Sequence, residues 1–226
     1  DQPAPPQQGP PQPGQPQFPQ PQQAAPQAFK IYDKLPPARG GSTFKAMDLR
    51  PTDKGTSRKV IVQASLDSKA NISKTKDSSL WSTEKSESGS VAYAVRLQIR
   101  PSRKDIELEN LMVVTQYFAK ELMDRGKIDP RQIDVKIAQI PKLPAEGLYV
   151  DLTPVSTYRS EYEYSSNYAY SSSSGSKSKS GSELYGVVIT GFDPSGEILF
   201  QGFSGTALKD LGTTARAEAE EAQKRS

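Results

Sequence analysis

Among its 226 residues the chain has no cysteine and no histidine. The first absence excludes thiolate catalysis, zinc–thiolate centres and disulfides, and is compatible with an oxidising compartment without requiring one. The second removes the commonest general base, the usual nucleophile–base triad and most transition-metal sites. Apolar residues make up only 34% of the chain, low for a wholly globular protein, so part of it must lie outside a core. No run of eighteen or more apolar residues occurs, so no transmembrane helix is expected. The net charge of +3 is scattered, with no basic stripe interleaved with aromatics, and nucleic acid is not an expected partner.

What is present begins with DQPAPPQQGPPQPGQPQFPQPQQAAPQA, residues 1–28, which holds ten prolines, ten glutamines and a single charge. Such a stretch cannot bury enough apolar surface to offset its ordering entropy, and proline favours an extended path. It reads as an exposed arm or tether. The start at Asp1 rather than Met leads us to expect a mature product whose signal peptide has been removed. The Pro/Gln composition next to a Ser/Thr/Tyr-rich domain points to the periplasm, the outer membrane surface or the exterior of a cell.

From residue 29 onward the pattern is that of strands. RKVIVQASLD offers Val60, Val62 and Ala64 at a spacing of two, and in VAYAVRLQIRP the residues Val91, Tyr93, Val95, Leu97 and Ile99 alternate with wetter neighbours. Residues 67–90 are mostly polar, with Leu80 and Trp81 an adjacent apolar pair, and read as a long loop or a decorated hairpin. The stretch LENLMVVTQYFAKEL admits two readings: Leu111, Val114, Phe118 and Leu122 fit a helical stripe, whereas MVVTQYF has strand composition, which we favour through about residue 119. IDVKIAQI and GLYVDLTP are further strands, and PVSTYRSEY is expected to make a single helical turn. In ELYGVVITGFDPSGEILFQGFSG, Asp193, Pro194 and Gly196 suit a type I turn joining two apolar runs. The expected fold is all-β: an immunoglobulin-like antiparallel β-sandwich over residues 29–210, with a short helical or frayed tail over 211–226.

No motif carries chemistry convincingly. Ser82-Thr-Glu-Lys85, Ser165-Ser-Asn167 and Lys179-Ser-Gly181 follow the order of the S-x-x-K, S-x-N and K-S-G elements of penicillin-recognising enzymes, but they fall in polar or low-complexity sequence. Acidic pairs such as Glu161 and Glu163 sit two apart, on one solvated strand face. The nucleophile elbow, phosphate-cradling glycines and calcium loops are missing. The chain reads as non-catalytic, with no cofactor and no metal.

The tyrosines are the better candidates. Tyr158, Tyr162, Tyr164, Tyr168 and Tyr170 would form a stacking surface for sugar rings or a protein partner, since tyrosine offers a flat apolar face and a hydroxyl. The alternative is that Tyr162 and Tyr164 pack at a strand end while the rest decorate a loop, with residues 171–182 a flexible spacer. Phe18, Phe29 and Ile31 are the apolar points of the arm region, suited to anchoring it along a neighbouring subunit or a sheet edge; otherwise the arm is a disordered tether.

The succession VAYAVRLQI, KDIELENLMVVTQYFAKEL, GLYVDLTPVSTYRSEY and ELYGVVITGFDPSGEILFQGF, spanning about residues 58–204, resembles immunoglobulin-like β-sandwich proteins of Verrucomicrobia, some encoded in pilus-assembly gene clusters and likened to type IV pilus-like subunits. The resemblance implies an envelope or extracellular location, a structural role and oligomers formed through terminal segments. Expected partners are therefore copies of the chain or other envelope and pilus-like proteins, with glycans as the alternative.

Overall fold

The alternation in VAYAVRLQI builds the centre of the molecule. In the computed structural model, which describes residues 28–37, 43–47, 49–51, 59–122, 130–168, 171–204 and 208, Val95, Leu97 and Ile99 are completely buried on one face of a long strand. The described residues form eleven strands: β1 (Phe29–Tyr32), β2 (Thr43–Met47), β3 (Leu49–Pro51), β4 (Val60–Ser78), β5 (Ser82–Pro101), β6 (Leu108–Glu121), β7 (Arg131–Leu143), β8 (Leu148–Leu152), β9 (Val155–Tyr168), β10 (Ser171–Phe192) and β11 (Ile198–Ser204). Every pairing between them is antiparallel, so the fold is all-β with the sandwich-like layering that the sequence leads one to expect.

Strand β5 organises the first sheet. One edge pairs with β4 along its length, from Val60↔Pro101 to Ser78↔Thr83. The other takes β8 against Arg96–Ile99 and then β9 against Ser82–Tyr93. β1 closes this sheet on β8, and β2 closes it on β4. The second sheet runs β3-β11-β10-β6-β7. β10 belongs to both sheets: Ser171–Gly181 pairs with β9, and from Ser182 onward the same strand pairs with β6 and then β11.

Between the layers, Leu97, Ile99 and Val150 from the first sheet pack with Val113, Tyr117, Ile140 and Ile189 from the second. The outward side of the second sheet is buried as well, with Phe118, Val188 and Phe203 packed under Leu208, and Val114, Phe192 and Ile198 in a separate cluster. That double burial explains the ambiguity of residues 109–122. A strand covered on both faces loses its polar alternation and mimics a helical stripe; β6 is nonetheless strand from Leu108 to Glu121.

Two local expectations are corrected and one open choice is resolved. The stretch from Val155 contains no helical turn and is strand throughout, held in register by β5. Residues 171–182, expected to be a flexible spacer, are the paired first half of β10. Of the two readings of residues 67–90, a long loop or a decorated hairpin, the hairpin is the one observed: they belong to the paired strands β4 and β5 and the turn between them. The predicted turn forms: the Gly196 amide donates to the Asp193 carbonyl at 3.0 Å, and Gly196 takes a φ of 85°. Asp193 Oδ1 also accepts the amides of Ser195 and Glu197, each at 2.9 Å. Residues 1–27 of the arm, including Phe18, and the tail over 211–226 lie outside the described residues.

Candidate functional site

Beyond the core, β4, β5, β9 and the first half of β10 continue as a four-stranded ribbon. Its root is the row Ile72, Gly89, Arg159, Gly181, which the pairing registers align across all four strands. A Cβ on Gly89 would collide with the Asn71 carbonyl and lie 2.7 Å from Ile72 Cα, so only glycine lets the backbones approach so closely there. From Gly89 to the turn at Ser82 the ribbon extends seven residues, about 23 Å at 3.3 Å per residue.

Because cross-strand partners share a face, the registers sort the ribbon's side chains into two surfaces. One carries the rows Asp77, Glu84, Tyr164, Ser176; Thr75, Ser86, Tyr162, Ser178; Ser73, Ser88, Ser160, Ser180; and Asn71, Ser90, Tyr158. Tyr158 and Tyr162 are exposed at 55% and 38%, Tyr164 is half-buried, and Thr75 Oγ1 lies 2.6 Å from Ser86 Oγ beside Tyr162. This surface is a bed of hydroxyls crossed by a line of aromatic rings. Tyr168 pairs with Ser171 beyond a register shift between Ser171 and Ser174, so its backbone does not continue these rows, and Tyr170 lies outside the described residues.

The opposite surface is ionic. Its rows are Lys76, Lys85, Glu163, Lys177 and Lys74, Glu87, Glu161, Lys179. Lys74 pairs with Glu87 at 2.6 Å and Lys85 with Glu163 at 3.3 Å, while Glu161 takes Lys177 at 2.6 Å and Lys179 at 3.3 Å. The hydrogen bond from Lys177 holds the Glu161 carboxyl below its ordinary value, and the same bond raises Lys177. Exposed pairs of this kind contribute little to stability.

The arrangement disposes of the serine-enzyme coincidence. Ser82 and Lys85 are three apart in one strand and so fall on opposite faces, with Lys85 engaged by Glu163. The dent bordered by Thr75, Lys85, Ser86 and Tyr162 measures about 120 Å³, below the roughly 300 Å³ at which small-molecule pockets begin. Among the described residues no group of three or more acidic side chains is arranged to hold a metal ion, and no helix is long and apolar enough to cross a membrane.

Of the expected arm anchors, Phe29 and Ile31 lie in β1, which takes the edge of β8 in the same chain through Phe29↔Leu152 and Ile31↔Val150. Phe29 packs against the core, whereas Ile31 stays 37% exposed. The ribbon also brings forward two residues to which the sequence assigned no role. Leu80 and Trp81, at the turn between β4 and β5, are 92% and 59% exposed. Their signal was an adjacent pair of large apolar residues in a stretch that is otherwise polar but for Ala70 and Ile72. No protein-family model, curated protein or solved structure matches the chain.

Proposed function

We propose that this chain is a non-catalytic structural or interaction module of the cell envelope or cell surface, a component or accessory of a pilus-like assembly, with the ribbon as its contact element and its terminal segments as the means of self-association. The observation that carries this reading is the ribbon itself: four strands ordered well past the core, contributing little to it and presenting two chemically distinct faces. Ordering residues costs about 1–2 kcal/mol each in backbone entropy, which is retained more readily where the ordered surface is used. The envelope setting rests on the resemblance and on the composition of the arm.

The test is size-exclusion chromatography with light scattering on the full chain and on a chain lacking residues 1–27. The cut is placed before Ala28 because its carbonyl accepts the Thr153 amide at 2.9 Å and the Thr153 hydroxyl at 3.1 Å. A defined oligomer that becomes monomeric on truncation is the expected result. A full chain that stays monomeric at high concentration and crosslinks to no envelope protein overturns the reading.

A second reading, a glycan-binding module, is favoured by the alignment of Tyr158, Tyr162 and Tyr164 on one hydroxyl-rich face. Aromatic faces stack on the apolar faces of sugar rings while neighbouring hydroxyls meet the ring substituents. Binding on a glycan array that is lost in the Tyr162→Ala, Tyr164→Ala double variant is the expected outcome; no binding, or binding unchanged by the substitutions, removes this reading.

A further inference from the structure

The geometry points to the turn at residues 79–82 as a point of contact with a lipid bilayer interface, with Leu80 and Trp81 entering the boundary between headgroups and acyl chains. Two adjacent large apolar side chains left 92% and 59% exposed at the end of the ribbon gain from an environment that removes them from water. The turn is convex and terminal, so it cannot enclose a ligand; a deformable medium can enclose it.

Three further features fit a bilayer. The first is that three amides of the turn are satisfied from within it, which a low-dielectric medium favours. Ser79 N donates to the Ser82 carbonyl at 2.8 Å, and Ser79 Oγ accepts the amides of Ser82 at 3.0 Å and Trp81 at 3.3 Å. The second is depth. The charges nearest the pair are Asp77 and Glu84, each three residues up its strand, about 10 Å at 3.3 Å per residue; Ser78, Ser79, Ser82 and Thr83 fill the interval. Interfacial segments bury their apolar side to about 5–10 Å, so the tip reaches that depth before a charge must leave water. The third is neutrality. The ribbon's outer rows hold Lys74, Lys76, Lys85, Lys177 and Lys179 against Asp77, Glu84, Glu87, Glu161 and Glu163, five of each sign. Attachment is therefore driven by the apolar pair and not by attraction to anionic headgroups. Trp in addition is suited to the interface through its apolar body and indole N–H.

Trp81 is the sole tryptophan of the chain, so its emission reports the tip directly. The full-length protein is titrated with phosphatidylcholine vesicles, with and without phosphatidylglycerol, and with brominated lipid as quencher. The expected result is a shift of emission to shorter wavelength and quenching by brominated lipid, equal on both vesicle types and unchanged between about 0.05 and 0.5 M salt. Leu80→Ser, which keeps the reporter and lies in solvent where folding is unaffected, is expected to weaken partitioning at least about tenfold. An emission spectrum unmoved at saturating lipid overturns the inference. So does binding that requires phosphatidylglycerol and vanishes with salt, which assigns the contact to the lysines. A spectral shift that follows protein concentration without lipid overturns it too, by assigning the tip to a second copy of the chain. None of these outcomes depends on the light-scattering result, so the two readings fail separately.

Discussion

Replacing Gly181 with alanine tests how the ribbon is joined to the body. Gly181 is the last residue of β10 paired to β9, and its φ is +99°, a backbone region that side-chain-bearing residues rarely adopt. Holding alanine there costs about 1–3 kcal/mol. The added Cβ would also collide with the Tyr158 carbonyl and come within 2.9 Å of Arg159 Cα. Those neighbours are backbone atoms of β9, which is pinned on its far side by β5, so they cannot turn away as a side chain would. Forcing a methyl into such a contact costs about another 1–3 kcal/mol. The sum, about 2–6 kcal/mol, corresponds to a fall in melting temperature of roughly 4–24 °C for a chain of this size. Urea and thermal unfolding followed by far-UV circular dichroism measure it. Gly175→Ala is the control, because its Cβ would have only the Tyr164 carbonyl nearby, at 3.3 Å, and no positive φ; it is expected to stay within about 0.5 kcal/mol of the parent. A Gly181→Ala protein as stable as that control refutes the claim that the junction depends on glycine geometry.

Three other outcomes are expected. Leu97→Ala empties a fully buried position between the layers and should destabilise by about 2–5 kcal/mol in urea titration. Arg96→Ala should cost about 3–5 kcal/mol, because the buried guanidinium lies 3.5 Å from Asp151 and donates to the carbonyls of Pro36 and Pro37; its loss takes the cation away from a largely buried carboxylate and frees the segment at Pro36 and Pro37, which limited proteolysis near residue 37 would register. At the β10–β11 turn, burial pushes the Asp193 carboxyl up, but hydrogen bonds from Ser195 and the Glu197 amide, with Lys59 nearby, outweigh it and hold the group below its ordinary value. A depressed carboxyl contributes stability above its unfolded pKa and loses it as pH falls through the folded one. Asp193→Ala should therefore cost about 1–2 kcal/mol at neutral pH, with the gap to the parent narrowing as the pH is lowered towards about 2; a gap independent of pH contradicts the assignment.

The sandwich was legible wherever only one face of a strand packs between the layers. Val91 to Ile99 alternates because β5 has one face in the core, and Asp193 to Gly196 announces its turn because its backbone geometry demands those residues. β6 was ambiguous because both its faces are covered. The ribbon was misjudged for the opposite reason: neither face is buried in a core, so hydropathy carries no period there. A period of two is nevertheless present, written in charge. Glu161-Tyr-Glu-Tyr164 and Lys177-Ser-Lys-Ser180 alternate ionic with hydroxyl-bearing residues, and the registers put the glutamates and lysines on one face and the hydroxyls on the other. The alignment of the tyrosines could have been read from their even spacing once 155–168 was taken as strand. The partnering of β9 between β5 and β10 is a long-range pairing that no local pattern encodes.

The sharing of β10 between two layers has a mechanical consequence. β5 runs from the ribbon tip into the middle of the first sheet, and β10 runs as one strand, with a register shift between Leu184 and Gly186, from the ribbon into the middle of the second. A load on the tip is therefore delivered along continuous strands and resisted in shear by many backbone hydrogen bonds at once, in both layers, instead of being absorbed at a hinge. The ribbon behaves as a stiff lever rooted in the whole domain, so a pull or push at its end is felt in the packing between the sheets.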